Sequence, residues 1–107
     1  MNPEEVPTKL SGLLKITATD REILALLLKS KKKLHVGEIK SQLRRSERAI
    51  RGRLAHLHRI GLVRRESSTK KTRRPAYVYF APPVREIVRA IREEFLRNLR
   101  RIEEHFD

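Results

Sequence analysis

The segment Ser46-Glu-Arg-Ala-Ile-Arg-Gly-Arg-Leu-Ala-His-Leu-His-Arg-Ile-Gly-Leu-Val63 constrains the fold more than any other, because it reads as a two-faced helix that turns directly into a strand. Ile50, Leu54 and Leu57 fall on one stripe at helical spacing, while Arg48 and Arg51 project from the opposite side and its flank. Ser46 is suited to cap the first turn with its hydroxyl, and Gly61 stands where a left-handed residue ends a helix. One face packs, and the other is free to meet a polyanion.

The charge around this helix is concentrated. The chain has 107 residues, with 26 Lys and Arg against 13 Asp and Glu, a net of +13. Between Lys29 and Arg74 stand 17 basic and 3 acidic residues, so that segment alone carries +14 and the remainder −1. Such a positive field in one contiguous segment points to nucleic acid or another anionic surface as partner. A chain of this length with 38% hydrophobic residues builds one modest core, so a separate effector-sensing module is not expected and no small-molecule effector is evident.

Other classes fall away on composition. The absence of cysteine removes disulfides, thiolate zinc sites and cysteine nucleophiles. No apolar run approaches the roughly 20 residues of a membrane span, and the N-terminus, with Glu4 and Glu5, lacks a signal-peptide layout. A cytoplasmic, nucleoid-associated protein with no membrane partner is expected. One Gln and two Asn beside heavy Arg and Glu usage suggest a thermophilic source.

Read along the chain, Leu10, Leu13 and Leu14 suggest a short helix after Pro7, within an N-terminal extension over 1–16. Thr17 and Asp20 form a capping pair for a helix running to about Ser30 that buries Ile23, Leu26 and Leu27. A basic turn over Lys31–Lys33 follows, then a very short strand at Leu34–Val36 and a helix from Val36 to Leu43 with Val36, Ile39 and Leu43 inward. After the Ser46 helix, Leu62–Ser67 and Ala76–Ala81 are strand-like, and the polar, basic stretch between them makes a hairpin with a charged tip. Pro82 and Pro83 close the second strand, and Pro83 can start a final helix reaching about His105.

In that last helix Val84, Val88, Ile91, Phe95, Leu99, Ile102 and Phe106 follow steps of 4, 3, 4, 4, 3, 4, two eleven-residue repeats that give a nearly straight seam. The seam is longer than a small globule can cover, and self-association is the simplest partner for it. These seven residues are the candidate dimerisation contacts of a coiled-coil homodimer over 82–107.

The fold class is therefore mainly α with a small β-hairpin: a domain over 17–81 made of three helices and a two-stranded wing, followed by a long C-terminal dimerisation helix over 82–107. With Ile16-Thr-Ala-Thr-Asp-Arg-Glu-Ile-Leu24, Val36-Gly-Glu-Ile39, Ser46 to Leu57, Gly61-Leu-Val63, Tyr77-Val-Tyr79 and Pro82-Pro83, the chain resembles archaeal and bacterial winged helix-turn-helix transcription regulators, most closely the TrmB-like and MarR-like groups. The likeness covers most of the chain beyond Ile16, without the effector domain of larger TrmB-like proteins. It implies that the third helix enters the major groove of double-stranded DNA and the wing reaches the flanking minor groove or backbone. Carried to this sequence, Arg44, Arg45 and Ser46 would meet phosphates, Arg48 and Arg51 would approach bases, and Lys70, Lys71, Arg73 and Arg74 would form the wing contact. Gly52, in mid-helix, departs from a good helix former and either allows close backbone approach to DNA or is merely tolerated.

Several residues invite other readings. Lys31–Lys33 are equally a solvated turn, and Arg53 and Arg59 lie near the core edge or helix end, where they can snorkel or pair with Glu. Arg64 and Arg65 alternate on a strand, so only one can face DNA. His56 and His58, two apart on a helix, point in nearly opposite directions and cannot chelate one ion, and His35 and His105 are isolated, so no metal is expected. No nucleophile with a base, phosphate-cradling loop or carboxylate pair can be assembled, which argues against an enzyme and against a cofactor. Tyr77 and Tyr79 are strand residues rather than a base-stacking platform.

The expected function is that of a homodimeric, sequence-specific transcription regulator. An architectural chromatin protein with little base preference, an RNA-binding winged helix, or a protein-docking module are the alternatives that the same charge allows.

Overall fold

The computed structural model describes residues 16–68 and 76–106. The elements run α1 (Ala18–Lys29), α2 (Val36–Leu43), α3 (Glu47–Arg59), β1 (Arg64–Ser67), β2 (Tyr77–Phe80) and α4 (Val84–Phe106). This is the mainly helical fold with a small hairpin that the sequence predicts. The expected helix around Leu10–Leu14 and the wing tip with Lys70, Lys71, Arg73 and Arg74 lie outside the described residues.

Each short helix begins on a local signal. The Asp20 amide donates to Thr17 Oγ1 at 3.1 Å while the Thr17 amide donates to Asp20 Oδ2 at 2.9 Å, a reciprocal capping box that satisfies two amides α1 would otherwise leave bare. At α2 the His35 amide donates to Glu38 Oε1 at 3.1 Å, and at α3 the Ala49 amide donates to Ser46 Oγ at 3.1 Å. The turn between α2 and α3 passes through Arg44 in the left-handed region, φ 53° and ψ 44°. Gly61 closes α3 with φ 85°, as its position in the sequence predicts.

The two strands pair antiparallel with Arg64 opposite Phe80, Arg65 opposite Tyr79, Glu66 opposite Val78 and Ser67 opposite Tyr77. Both are shorter than the sequence suggests. Leu62 and Val63, expected in the first strand, instead donate their amides to the Leu57 carbonyl at 2.9 and 3.3 Å, so they finish the end of α3 and are buried there. Leu34 does pair as expected, exchanging two backbone bonds with Tyr79 at 2.9 and 2.8 Å, which ties the approach to α2 onto the wing.

The core gathers Ile23 and Leu27 of α1, Val36 and Ile39 of α2, Ile50, Leu54 and Leu57 of α3, then Leu34, Ile60, Leu62, Val63 and Tyr79 from the connecting segments and β2. Leu26 and Leu43, expected inside, pack against its edge and are only half-buried. From α4, Ile87 and Ala90 complete it, with Ala90 set against Gly61, where an added Cβ would come within 3.4 Å of the Ala90 methyl. Asn98 is also buried on α4. The predicted seam lies partly round the helix from these positions: Val84, Val88 and Ile102 are 62%, 48% and 44% exposed, and Ile91, Phe95 and Leu99 are half-buried. The Phe106 side chain is outside those described. No described helix is long and apolar enough to cross a membrane.

Candidate nucleic-acid interface

The outer face of α3 exists because its inner stripe is fully used. Ile50, Leu54 and Leu57 are completely buried, so helical geometry turns Glu47, Arg48, Arg51, Gly52 and Ala55 outward, and all five are exposed. Arg44, Arg45 and Ser46 are exposed at the N-terminal end of the same helix, where unpaired amides and the helix dipole favour an anion. Of the nine residues predicted to meet DNA, the structure thus brings five to one continuous surface, and the remaining four belong to the wing tip outside the described residues.

These cations are not all idle. Arg45 grips Glu22 of α1 through Nε to Oε2 at 2.8 Å and Nη2 to Oε1 at 2.9 Å, and the hydrogen bond from Arg45 holds the Glu22 carboxyl below the usual range. Arg51 reaches back one turn to Glu47, Nη2 to Oε1 at 3.0 Å. Arg48 and Arg44 have no ion pair among the described residues. The Arg51–Glu47 pair is visible in the sequence as an i, i+4 spacing, whereas Arg45 and Glu22 stand 23 residues apart and meet only in the fold.

Arg53 turns away from this face. Its Nε and Nη2 donate to Asp20 Oδ1 and Oδ2 at 2.7 and 2.6 Å, so it does pair with a carboxylate at the core edge, an aspartate of α1. Arg59 donates to His56 Nδ1 at 2.8 Å. Of the Lys31–Lys33 turn, Lys32 pairs with Glu38 at 3.3 Å and Lys33 with Glu66 at 2.6 Å, and the Lys33 ammonium sits 4.6 Å from the Phe80 ring centre. The turn is anchored to α2 and the wing rather than merely solvated.

On the wing the alternation of Arg64 and Arg65 is resolved by their partners. Arg64 pairs with Glu86 on α4, while the Arg65 guanidinium lies 4.3 Å over the Tyr77 ring. Arg65 and Tyr77 share a strand face with Tyr79, since Arg65 stands directly opposite Tyr79 and Tyr77 is two residues before it. Tyr79 is buried and Tyr77, on the same face one step nearer the wing tip, is at the surface, so the two are strand residues at the core and at its margin. Among the described residues no group of three His, Asp or Glu side chains could hold a metal ion.

Known proteins share this fold. Residues 15–69 match the M protein trans-acting positive regulator (MGA) HTH domain. No curated protein sequence matches the chain. In three dimensions it is similar to a possible transcriptional regulator from Methanosarcina mazei Go1, with a TM-score of 0.72 and 14% identity over 94% of this chain and 85% of that one. A protein from the thermoacidophilic archaeon Sulfolobus tokodaii gives 0.65 and 23% over 100% of both chains. S. aureus MepR, in a MepR-DNA complex, gives 0.61 and 18% over 95% of this chain and 79% of that one. At these identities the likeness shows the shared fold, the winged-helix architecture that the sequence resembles.

Proposed function

The chain belongs to the family of the M protein trans-acting positive regulator (MGA) HTH domain, and from that premise we propose that it binds double-stranded DNA as a sequence-specific transcription regulator. The observation that carries the reading is the outer face of α3: with every apolar residue of its stripe buried, Arg48 and Arg51 stand exposed beside Arg44, Arg45 and Ser46. A helix of this kind fits the major groove, where arginine donates to guanine O6 and N7, while its N-terminal amides and flanking cations take phosphates. Arg65, stacked on Tyr77, and the basic wing tip with Lys70, Lys71, Arg73 and Arg74 would follow the adjacent backbone or minor groove.

The same reading includes a homodimer joined through α4. Its exposed Val84, Val88 and Ile102 form an apolar line that one subunit leaves uncovered. A two-fold pair of α3 helices would then contact half-sites about 34 Å, one turn, apart.

An architectural, sequence-indifferent role is supported by the +14 segment alone. Sheared genomic DNA retained by the purified protein at roughly 0.2 M salt, where phosphate-only binding is weakened, separates the two. Enrichment of a few fragments sharing an inverted repeat is the expected result. Even retention across the genome would replace the regulator by the architectural reading, and no retention, with capture of RNA or of an acidic protein instead, would remove DNA as the partner.

A further inference from the structure

Glu47 is out of place on a surface meant for a polyanion. Among the three acids within the basic segment, Glu38 accepts the His35 amide at the start of α2 and pairs with Lys32, and Glu66 pairs with Lys33 across to the wing. Glu47 lies in the first turn of α3, where its charge suits the helix dipole, but among the described residues it neither caps a backbone amide nor ties α3 to a second element. The Ser46 hydroxyl already takes the Ala49 amide, so α3 is capped without it, and its ion-pair partner, Arg51, is an exposed neighbour one turn along the same helix. Exposed pairs of this kind add little to stability, while a carboxylate on this face lowers affinity for any phosphate backbone.

What the pair does offer is a pattern of hydrogen-bonding groups. Its contact, Arg51 Nη2 to Glu47 Oε1 at 3.0 Å, engages one of five guanidinium N–H groups and leaves enough for two parallel bonds. The second carboxylate oxygen of Glu47 remains an acceptor. Side by side the two heads present donor, donor, acceptor. In the major groove a G·C pair presents guanine N7 and O6 as acceptors and then the cytosine N4 amine as donor. An A·T pair presents acceptor, donor, acceptor, which would set the guanidinium against an amine and the carboxylate against a carbonyl.

Resting on the DNA-binding reading above, we propose that Glu47 and Arg51 act as one unit that reads a single G·C base pair, Arg51 on the guanine and Glu47 on the cytosine. Glu47 is the specificity-determining member. It favours the one edge that supplies a donor beside two acceptors, and it penalises every other edge and the bare backbone by charge repulsion. The order of groups also fixes which strand carries the guanine.

Selection of duplexes from a randomised pool tests this with the full chain, its Glu47→Gln variant and its Arg51→Lys variant, each checked by thermal melting. The wild type is expected to select a site with one oriented G·C pair per half-site. Glu47→Gln should reduce the preference at that pair on the order of 10-fold, leave other positions unchanged and bind unrelated duplexes more tightly. Arg51→Lys, which keeps the charge and loses the fork, should lose preference at the same pair. If Glu47→Gln selects the same site as the wild type, or the two variants relax different pairs, the inference falls and DNA binding stands. A wild type that selects no common sequence overturns the sequence-specific reading, and this inference with it.

Discussion

Arg53 of α3 closes a two-pronged hydrogen bond on Asp20 of α1, at 2.7 and 2.6 Å, and the Asp20 side chain it holds is 0% exposed. The same carboxylate accepts the Thr17 amide that starts α1. One aspartate therefore both begins the first helix and ties α3 to it, through an arginine that lies off the face carrying Arg48 and Arg51.

Arg53→Ala is expected to destabilise the fold by about 3 kcal/mol, because it leaves a buried carboxylate without its counter-charge. Urea denaturation at pH 7 measures this. The pH dependence carries a second signature. Burial alone would raise the Asp20 pKa, but hydrogen bonds from Arg53 and Thr17 outweigh it and hold the group below its ordinary value. Its contribution is thus complete above the unfolded-state value, roughly 3.9, and is lost as pH falls through the lower folded value. Without Arg53 the depression of the Asp20 pKa is weakened, so the variant should lose less stability than the wild type between about pH 5 and pH 2.

Arg44→Gly is expected to stabilise the protein while weakening its hold on DNA. Arg44 occupies the left-handed region between α2 and α3, where a side chain with a Cβ is strained and glycine is not. Relief of that strain, less the extra freedom glycine has in the unfolded chain, should leave a gain of about 0.5–1 kcal/mol. A higher melting temperature together with a reduced salt dependence of DNA affinity would place Arg44 at a phosphate. An unchanged salt dependence would remove it from the interface.

The elements that were legible from the sequence are those set by neighbours in the chain. Thr17 with Asp20, Ser46 before α3 and Gly61 after it are signals within one turn, and the stripe Ile50, Leu54, Leu57 names its own buried face. The exposure of Arg48 and Arg51 follows from that stripe by rotation alone. What could not be read depends on distant partners. Asp20 and Arg53 are 33 residues apart, Glu22 and Arg45 are 23 apart, and no local rule pairs them. Arg64 and Arg65 are equivalent in a strand pattern until Glu86 and Tyr77 are in place on either side. On α4 the eleven-residue seam was plain, but the inner face is marked by Ile87, a small Ala90 and a polar Asn98, a pattern too weak to announce burial.

Gly52→Ala isolates the cost of a glycine in the middle of an exposed helix. An added Cβ at Gly52 would meet nothing within 4 Å, so no packing in the protein requires the glycine. Alanine should stabilise α3 by about 0.5–1 kcal/mol, seen as a rise of several degrees in melting temperature. The DNA affinity of the same variant decides why the glycine is there. A fall in affinity in spite of greater stability would mean that the helix backbone approaches the duplex at this position, and an unchanged affinity that glycine is simply tolerated.

The long helix gives the last prediction. Val84, Val88 and Ile102 are exposed on α4 and lie outside the core cluster, so a charge there should leave the winged domain folded. Ile91 is a poorer choice, because it packs against the core as well as belonging to the seam. Val88→Glu is expected to convert a dimer into monomers by sedimentation velocity, since a buried, unpaired carboxylate at a two-fold seam would be placed opposite or near its own copy. Phe95→Glu, further along the seam and half-buried, should do the same. The monomers should also bind an inverted-repeat duplex much more weakly than the dimer, while binding a single half-site about as well, because they lose only the linkage between two α3 helices. A dimer that survives both substitutions would place the subunit contact on another surface, and a wild type that sediments as a monomer would leave the apolar line of α4 to some other partner.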